Sequence, residues 1–151
     1  MSERAERLKQ KGYDLKPQEP PSKAWMDKVV IVGDLAFVSG HTCGNAVAGK
    51  VPSQQSVEQA RKGAELATVG LLNTINHALG SLERVERLVR LNGYVNADPD
   101  FTDVSSVIHG ASELLYHVFG DAGKHARTAL GMAQLPGGTS VEVDLILQVK
   151  P

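Results

Sequence analysis

Residues 125–149, HARTALGMAQLPGGTSVEVDLILQV, carry the clearest structural pattern in this chain. In the second half of the stretch, apolar and polar residues mostly alternate, which is the period of a half-buried strand. The residues Leu135–Gly138, LPGG, supply the turn that ends the preceding strand. The stretch therefore predicts two strands joined as a hairpin, with these apolar residues on one face of the second strand: Val141, Val143, Leu145, Leu147 and Val149.

One arginine, Arg127, lies in this predicted hairpin among small and apolar residues. A buried guanidinium is costly unless an anion meets it, so Arg127 is the best candidate for holding a substrate carboxylate. The alternative is a structural ion pair across the hairpin with Glu142 or Asp144. His125 precedes Arg127 by two residues and is expected on the same strand face.

Composition indicates an ordinary globular protein. The 151 residues fit a single domain spanning 1–151, with 42% hydrophobic and 22% charged residues. The net charge of −1 gives no general attraction for phosphates, so we do not expect nucleic acid as a partner. A single cysteine, Cys43, excludes an internal disulfide. Without an apolar segment that resembles a signal peptide or a membrane span, we expect a cytoplasmic protein that does not enter membranes.

The N-terminal half predicts a helix, a connector and a hairpin. Ser2 can cap a helix ending near Gly12, and Pro-rich residues follow, so residues 1–23 are expected to form an N-terminal helix and connector. Two β-rich runs, 29–32 and 35–38, flank a Gly-Asp turn. Residues 45–51 are compatible with a short strand or a loop.

Two long helices are predicted in the remainder of the chain. Ser56 and Gln59 match a capping box, and the helix they begin should run to Leu79, with Gly80 as its stop. A strand is expected from Val85 to Asn96, with Val89 among its inward residues. A second helix is expected from Thr102 to Phe119. Strand-helix-strand units of this kind place both helices on one face of a sheet, and the uncovered face predicts an oligomer.

Three segments resemble the Rid family of reactive intermediate deaminases, also called YjgF-type or L-PSP proteins. They are Ala126–Pro136, ARTALGMAQLP; Val141–Asp144, VEVD; and Gly33–His41, GDLAFVSGH, in which His replaces the family's Gln. The resemblance identifies a divergent branch of the family. It implies an α+β, chorismate-mutase-like single domain with a mixed sheet and two helices on one face. It also implies a homotrimer with three clefts between subunits.

The family resemblance also implies a chemistry. Well-studied members hydrolyse reactive 2-imino or 2-enamino acids to 2-oxo acids and ammonia, without metal or cofactor. Carried over by position, Arg127 would bind the substrate carboxylate and Glu142 would position the attacking water. Gly40 would offer backbone groups to the substrate, and Ser39 would line the cleft.

The chain departs from the family pattern at several positions of the predicted site. Where active deaminases carry a tyrosine, ungapped counting places Met26, with Trp25 beside it. An asparagine of some members falls near Ser105, and a cysteine of some members is Ala129. His41 has a pKa range suited to proton transfer, although an ordinary loop histidine is the simpler interpretation. The predicted ligand-contacting set, in addition to Arg127 and Glu142, is Ser39, Gly40, His41, Trp25, Met26 and Ser105, with no metal site.

Three other functions remain open from the sequence. A non-catalytic trimer that binds a small carboxylate metabolite is favoured by the missing tyrosine. An endoribonuclease or translation inhibitor is a function often assigned to the family, and the near-neutral charge opposes it. A chorismate mutase would rest on similarity of fold alone.

Overall fold

Five strands form one mixed sheet in the computed structural model, which describes residues 1–151. The sheet order is β1-β2-β5-β3-β4, and only β3 and β4 run parallel. The strand bounds are Val29–Val32 for β1, Leu35–Thr42 for β2, Val85–Asn96 for β3, Ala126–Met132 for β4 and Val141–Val149 for β5.

Three α-helices accompany the sheet: α1 from Glu3 to Gln10, α2 from Val57 to Leu79 and α3 from Val104 to Phe119. The predicted capping box of α2 is present, since Ser56 Oγ accepts from the backbone of Gln59 and the Gln59 side chain returns a bond. Gly80 ends α2 with φ 83°, a left-handed conformation that favours glycine. No helix is both long and apolar enough to cross a membrane.

The predicted C-terminal hairpin is wrong, although both of its strands exist. Strand β5 pairs with β2 and β3 instead of with β4, because β5 lies between them in the sheet. The crossover through α3 places β4 beside β3 and parallel to it, as right-handed strand-helix-strand units do. Alternation of apolar residues shows which face a strand buries but does not identify its neighbours.

The covered face of the sheet packs closely on α2 and α3. A Cβ at Gly93 would lie 2.6 Å from Ile108, and a Cβ at Gly110 would lie 2.1 Å from the backbone oxygen of Arg61. Val89 is not among the inward residues, because a register shift between Leu88 and Arg90 turns it outward to 37% exposure. The α+β arrangement, with both long helices on one face of a mixed sheet, is confirmed.

The opposite face of the sheet carries no helix. On β5 this open face presents Glu142, Asp144 and Ile146, which alternate with buried Val143 and Leu145. Apolar side chains are exposed on the same face in the neighbouring strands, since Val30 pairs with Phe37 and Phe37 with Ile146. Exposed apolar side chains on a sheet face that no helix covers are characteristic of an interaction surface.

Candidate active site

Arg127 lies on the face of the sheet that the helices cover. In the parallel register of β3 and β4 it stands beside the buried Leu91. Its Nη1 donates to Nδ1 of His109, 2.9 Å away, and lies 3.3 Å from Oγ of Ser112. Both partners belong to α3, so the edge strand and the helix together fix one side of the guanidinium. The Nε and Nη2 groups make no hydrogen bond within the chain.

His125 extends this cluster from the loop before β4. Its Nδ1 lies 2.7 Å from the backbone oxygen of Gly123, and its Nε2 lies 2.9 Å from Oγ of Ser112. Burial lowers the pKa of His125, and the positive charge of Arg127 lowers it further. His125 and Arg127 therefore converge on the same hydroxyl, as their spacing predicts.

The ion pair that competed for Arg127 is absent from the structure. Asp144 accepts from Nδ2 of Asn92 at 2.8 Å and from the hydroxyl of Tyr94 at 2.9 Å, on the open face. Glu142 also lies on that face, beside Tyr94. Because the sheet separates Arg127 from both carboxylates, Arg127 has no anionic partner in its own chain.

Glu142 is a half-buried carboxylate with no hydrogen-bond partner in the chain. Burial raises its pKa, and the neighbouring charge of Asp144 raises it further. Gly40 lies directly against it, since a Cβ at Gly40 would come within 3.1 Å of the Glu142 carboxyl carbon. The absence of a side chain at position 40 thus leaves the backbone next to this carboxylate open to a small ligand.

Ser39 and His41 belong to a register shift between β2 and β5. The backbone oxygen of Ser39 lies 2.7 Å from Nδ1 of His41, whose Nε2 lies 2.8 Å from Oγ1 of Thr74 on α2. Both ring nitrogens are thus engaged within the chain, Nδ1 with the backbone of β2 and Nε2 with α2. A contact of His41 with substrate remains a prediction.

A polar chain links His41 to the N-terminal connector. Oγ1 of Thr74 donates to Oε2 of Glu19 at 3.0 Å, and Lys28 forms an ion pair with the same oxygen at 2.9 Å. Burial lowers the pKa of His41, while the charge of Glu19 opposes that shift. These hydrogen bonds and the ion pair fasten the connector to α2 and to the end of β2.

The other predicted ligand contacts fall at two separate places. Trp25 and Met26 lie between the connector and β1 and are 78% and 43% exposed, so neither is a core residue. Ser105 is exposed on α3, one turn before His109. Within one chain, Ser105 therefore lies on the side of the sheet that carries Arg127, whereas Ser39 and Gly40 lie in β2 near Glu142.

Sequence reasoning missed His109 and Ser112 as partners of Arg127. The available signal was their spacing, because Ser105, His109 and Ser112 recur at the interval of one helix face. Such a polar stripe on an otherwise apolar helix gains significance only when the helix is known to flank β4. The sequence pattern did not specify that neighbour.

Comparison with known proteins agrees with the fold. Residues 15–147 match the family model described as "YjgF/chorismate_mutase-like, putative endoribonuclease". Protein TCP17 of Trypanosoma cruzi is 35% identical over 150 residues, covering 96% of this chain and 93% of TCP17.

Two solved structures are similar to the chain in fold. The protein Atu1372 of Agrobacterium tumefaciens, of unknown function, is 36% identical with a TM-score of 0.90, covering 99% of this chain and 93% of that one. RidA from the Antarctic bacterium Psychrobacter is 23% identical with a TM-score of 0.56, over 86% of this chain and 93% of RidA, and shares the fold. The chain is thus much more similar in structure to the Atu1372 protein than to RidA.

Proposed function

This chain belongs to the YjgF/chorismate-mutase-like family, and we propose that it hydrolyses reactive 2-imino or 2-enamino acids to 2-oxo acids and ammonia. Arg127 binds the substrate carboxylate and Glu142 activates the water. The reaction uses no cofactor and occurs in a cleft between the subunits of a homotrimer.

The observation that carries this proposal is the state of the Arg127 side chain. Its Nη1 is held by His109 and Ser112, while Nε and Nη2 have no partner in the chain. The remaining edge of the guanidinium matches the two oxygens of a carboxylate and can bind both at once. An anion that completes this half-buried cluster offsets the cost of placing the guanidinium there.

The state of Glu142 supports its proposed role as a base. A carboxylate with a raised pKa accepts a proton from water more readily than an ordinary one, and burial raises the pKa of Glu142. Gly40 leaves room beside it for the substrate.

The proposed reaction balances without a metal or redox partner. The oxygen of water adds to the carbon of a protonated C=N bond while Glu142 takes the proton from that water. The resulting carbinolamine then breaks its C–N bond as its hydroxyl becomes the C=O group of the 2-oxo acid. Glu142 returns its proton to the amino nitrogen, ammonia leaves with the electron pair of the C–N bond, and the hydroxyl proton passes to Glu142. The positioning of the carboxylate by Arg127 supplies the orientation that the addition needs.

Turnover is tested with imines generated in situ from neutral, acidic and aromatic amino acids by an amino-acid oxidase, with semicarbazide as the trap. Wild-type protein should lower the trapped imine, and Arg127→Ala and Glu142→Gln should not. Arg84→Ala is the matched control, because Arg84 bonds the backbone of Lys150 away from both clusters. If wild type and Arg127→Ala both leave the trapped imine at its protein-free level for all the imines, the enzyme is refuted. If both lower it equally, the role of Arg127 is refuted.

A second candidate is a trimer that binds a carboxylate metabolite without turnover. It is favoured by Trp25 and Met26, which stand where the deaminases carry a tyrosine and have no phenolic hydroxyl. This candidate predicts that a 2-oxo acid binds to wild type and not to Arg127→Ala, while imine hydrolysis stays at background. The endoribonuclease named in the family description would require RNA cleavage that survives repurification and is lost with a site substitution.

A further inference from the structure

The hydrogen bonds around Arg127 constrain the protons of His109. A guanidinium carries only donors, so Nδ1 of His109, 2.9 Å from Nη1, must be the acceptor. In the neutral ring the single proton then resides on Nε2. The contact therefore specifies both the tautomer of His109 and the orientation of its ring.

The same reasoning gives His125 the opposite tautomer. The oxygen of Gly123 accepts from Nδ1 of His125, so this nitrogen carries the proton. The ring of His125 is expected to be uncharged near pH 7, because burial and the charge of Arg127 lower its pKa. Its Nε2 then accepts the only hydroxyl proton of Ser112, 2.9 Å away, and Ser112 Oγ accepts from Arg127.

We propose that His109 is the positioning residue of Arg127, and that Ser112 and His125 complete a hydrogen-bond chain that presents the Nε and Nη2 edge of the guanidinium to a carboxylate. The inference rests on the proposed function for its ligand, since the oriented arginine is the carboxylate anchor there. Nη1 of Arg127, Nδ1 of His109, the hydroxyl of Ser112 and both ring nitrogens of His125 are paired within the chain under this assignment, so the orientation requires no bound ligand.

Preorganisation explains why a positioning residue matters here. An arginine side chain has several rotatable bonds, and each must be fixed before two parallel hydrogen bonds to a carboxylate can form. His109 meets that requirement before the ligand arrives. Loss of its acceptor should weaken binding even though the guanidinium itself remains.

The first test reads the protons directly and does not depend on a ligand. A long-range ¹H–¹⁵N spectrum of the full-length protein at neutral pH should show His109 protonated on Nε2 and His125 protonated on Nδ1. His109→Asn and His125→Asn assign the signals, and Arg127→Leu should shift those of His109. Protonation of His109 on Nδ1, or no response to Arg127→Leu, would overturn the proposal.

The second test measures pyruvate, a simple 2-oxo acid, by titration calorimetry. His109→Asn keeps an acceptor near the place of Nδ1 and should bind pyruvate within about threefold of wild type, while His109→Leu should bind about tenfold or more weakly. His77→Asn is the control on α2. Equal weakening in His109→Asn and His109→Leu, with both variants folded by circular dichroism, would contradict the positioning role.

The two tests separate this inference from the proposed function. Wild type that binds pyruvate with the expected tautomers but hydrolyses no imine would refute the enzyme and leave the role of His109 intact. Wild type that binds no pyruvate would refute the carboxylate anchor, and the spectrum would still decide whether His109 holds Arg127.

Discussion

Arg127 and Glu142 illustrate how a folded chain can hold a charge in place without neutralising it. Neutral groups, His109 and Ser112, fix the guanidinium and leave its charge available. Glu142 has no cationic partner in the chain, since the charge nearby is the like charge of Asp144 and its neighbours include Tyr94 and Gly40. Each group thus retains its capacity to interact with a charged ligand, which a mutual ion pair would have removed.

Glu142→Gln should abolish imine hydrolysis and raise the melting temperature at neutral pH. Because burial raises the pKa of Glu142, the folded chain binds its proton more tightly than the unfolded chain does. Ionisation at neutral pH therefore lowers the free energy of unfolding, and this cost is absent below the ordinary glutamate pKa of about 4.3. Thermal melts of both proteins across pH should converge at acid pH.

Asp34→Asn is the control for these melts, because Asp34 is a carboxylate that accepts from Gln148 at 2.7 Å at the exposed end of the sheet. A melting temperature that falls in Glu142→Gln at neutral pH would contradict the expectation. It would indicate a cationic partner for Glu142 supplied by another subunit.

At the scale of elements, sequence patterns predicted what each segment is better than what it touches. The capping box of α2 and the alternation of β5 are local, and both are present in the structure. The neighbours of β5 depend on how the crossovers through α2 and α3 arrange the other strands. Arg127 was recognisable from its motif, whereas His109 acquires a role only once β4 lies beside α3.

Gly110→Ala should destabilise the packing of α2 on α3. The added Cβ would lie 2.1 Å from the backbone oxygen of Arg61, which cannot move without displacing α2. Overpacking of this kind costs about 1–3 kcal/mol or more in the free energy of unfolding. Chemical denaturation monitored by circular dichroism measures the loss.

Gly70→Ala is the matched control within α2, because its Cβ would meet only Cδ2 of His41, at an ordinary 3.6 Å. Alanine in a helix interior is favoured over glycine by about 0.5–1 kcal/mol, so this variant should be at least as stable as wild type. Equal stability of Gly110→Ala and Gly70→Ala would mean that the two helices can separate without cost.

At the scale of the molecule, the open face of the sheet should form the subunit interface. Val30 and Ile31 are adjacent and equally exposed, at 47% and 48%, but they project to opposite faces of β1. Val30→Asp should therefore dissociate the expected trimer in sedimentation analysis, because it buries a charge against a second sheet. Ile31→Asp should leave the trimer intact, and dissociation of both or neither would contradict this interface.

The opposite placement of Arg127 and Glu142 leads to a prediction about mixed subunits. The sheet separates the two side chains within a chain, so a site that uses both must take them from different subunits. Arg127→Ala and Glu142→Gln should each be inactive alone. When they are unfolded, mixed in equal amounts and refolded, they should recover about a quarter of wild-type imine hydrolysis, since random assembly restores that share of sites.

The control is a mixture of the double variant, Arg127→Ala with Glu142→Gln, and the single variant Arg127→Ala. Because no subunit in this mixture carries Arg127, its imine hydrolysis should stay at background. Recovery in the first mixture alone locates the reaction between subunits. If wild type is active and refolds but the single variants never complement each other, the two residues do not act in one inter-subunit site. Arg127 would then bind its ligand within the cluster formed by α3 and β4 alone.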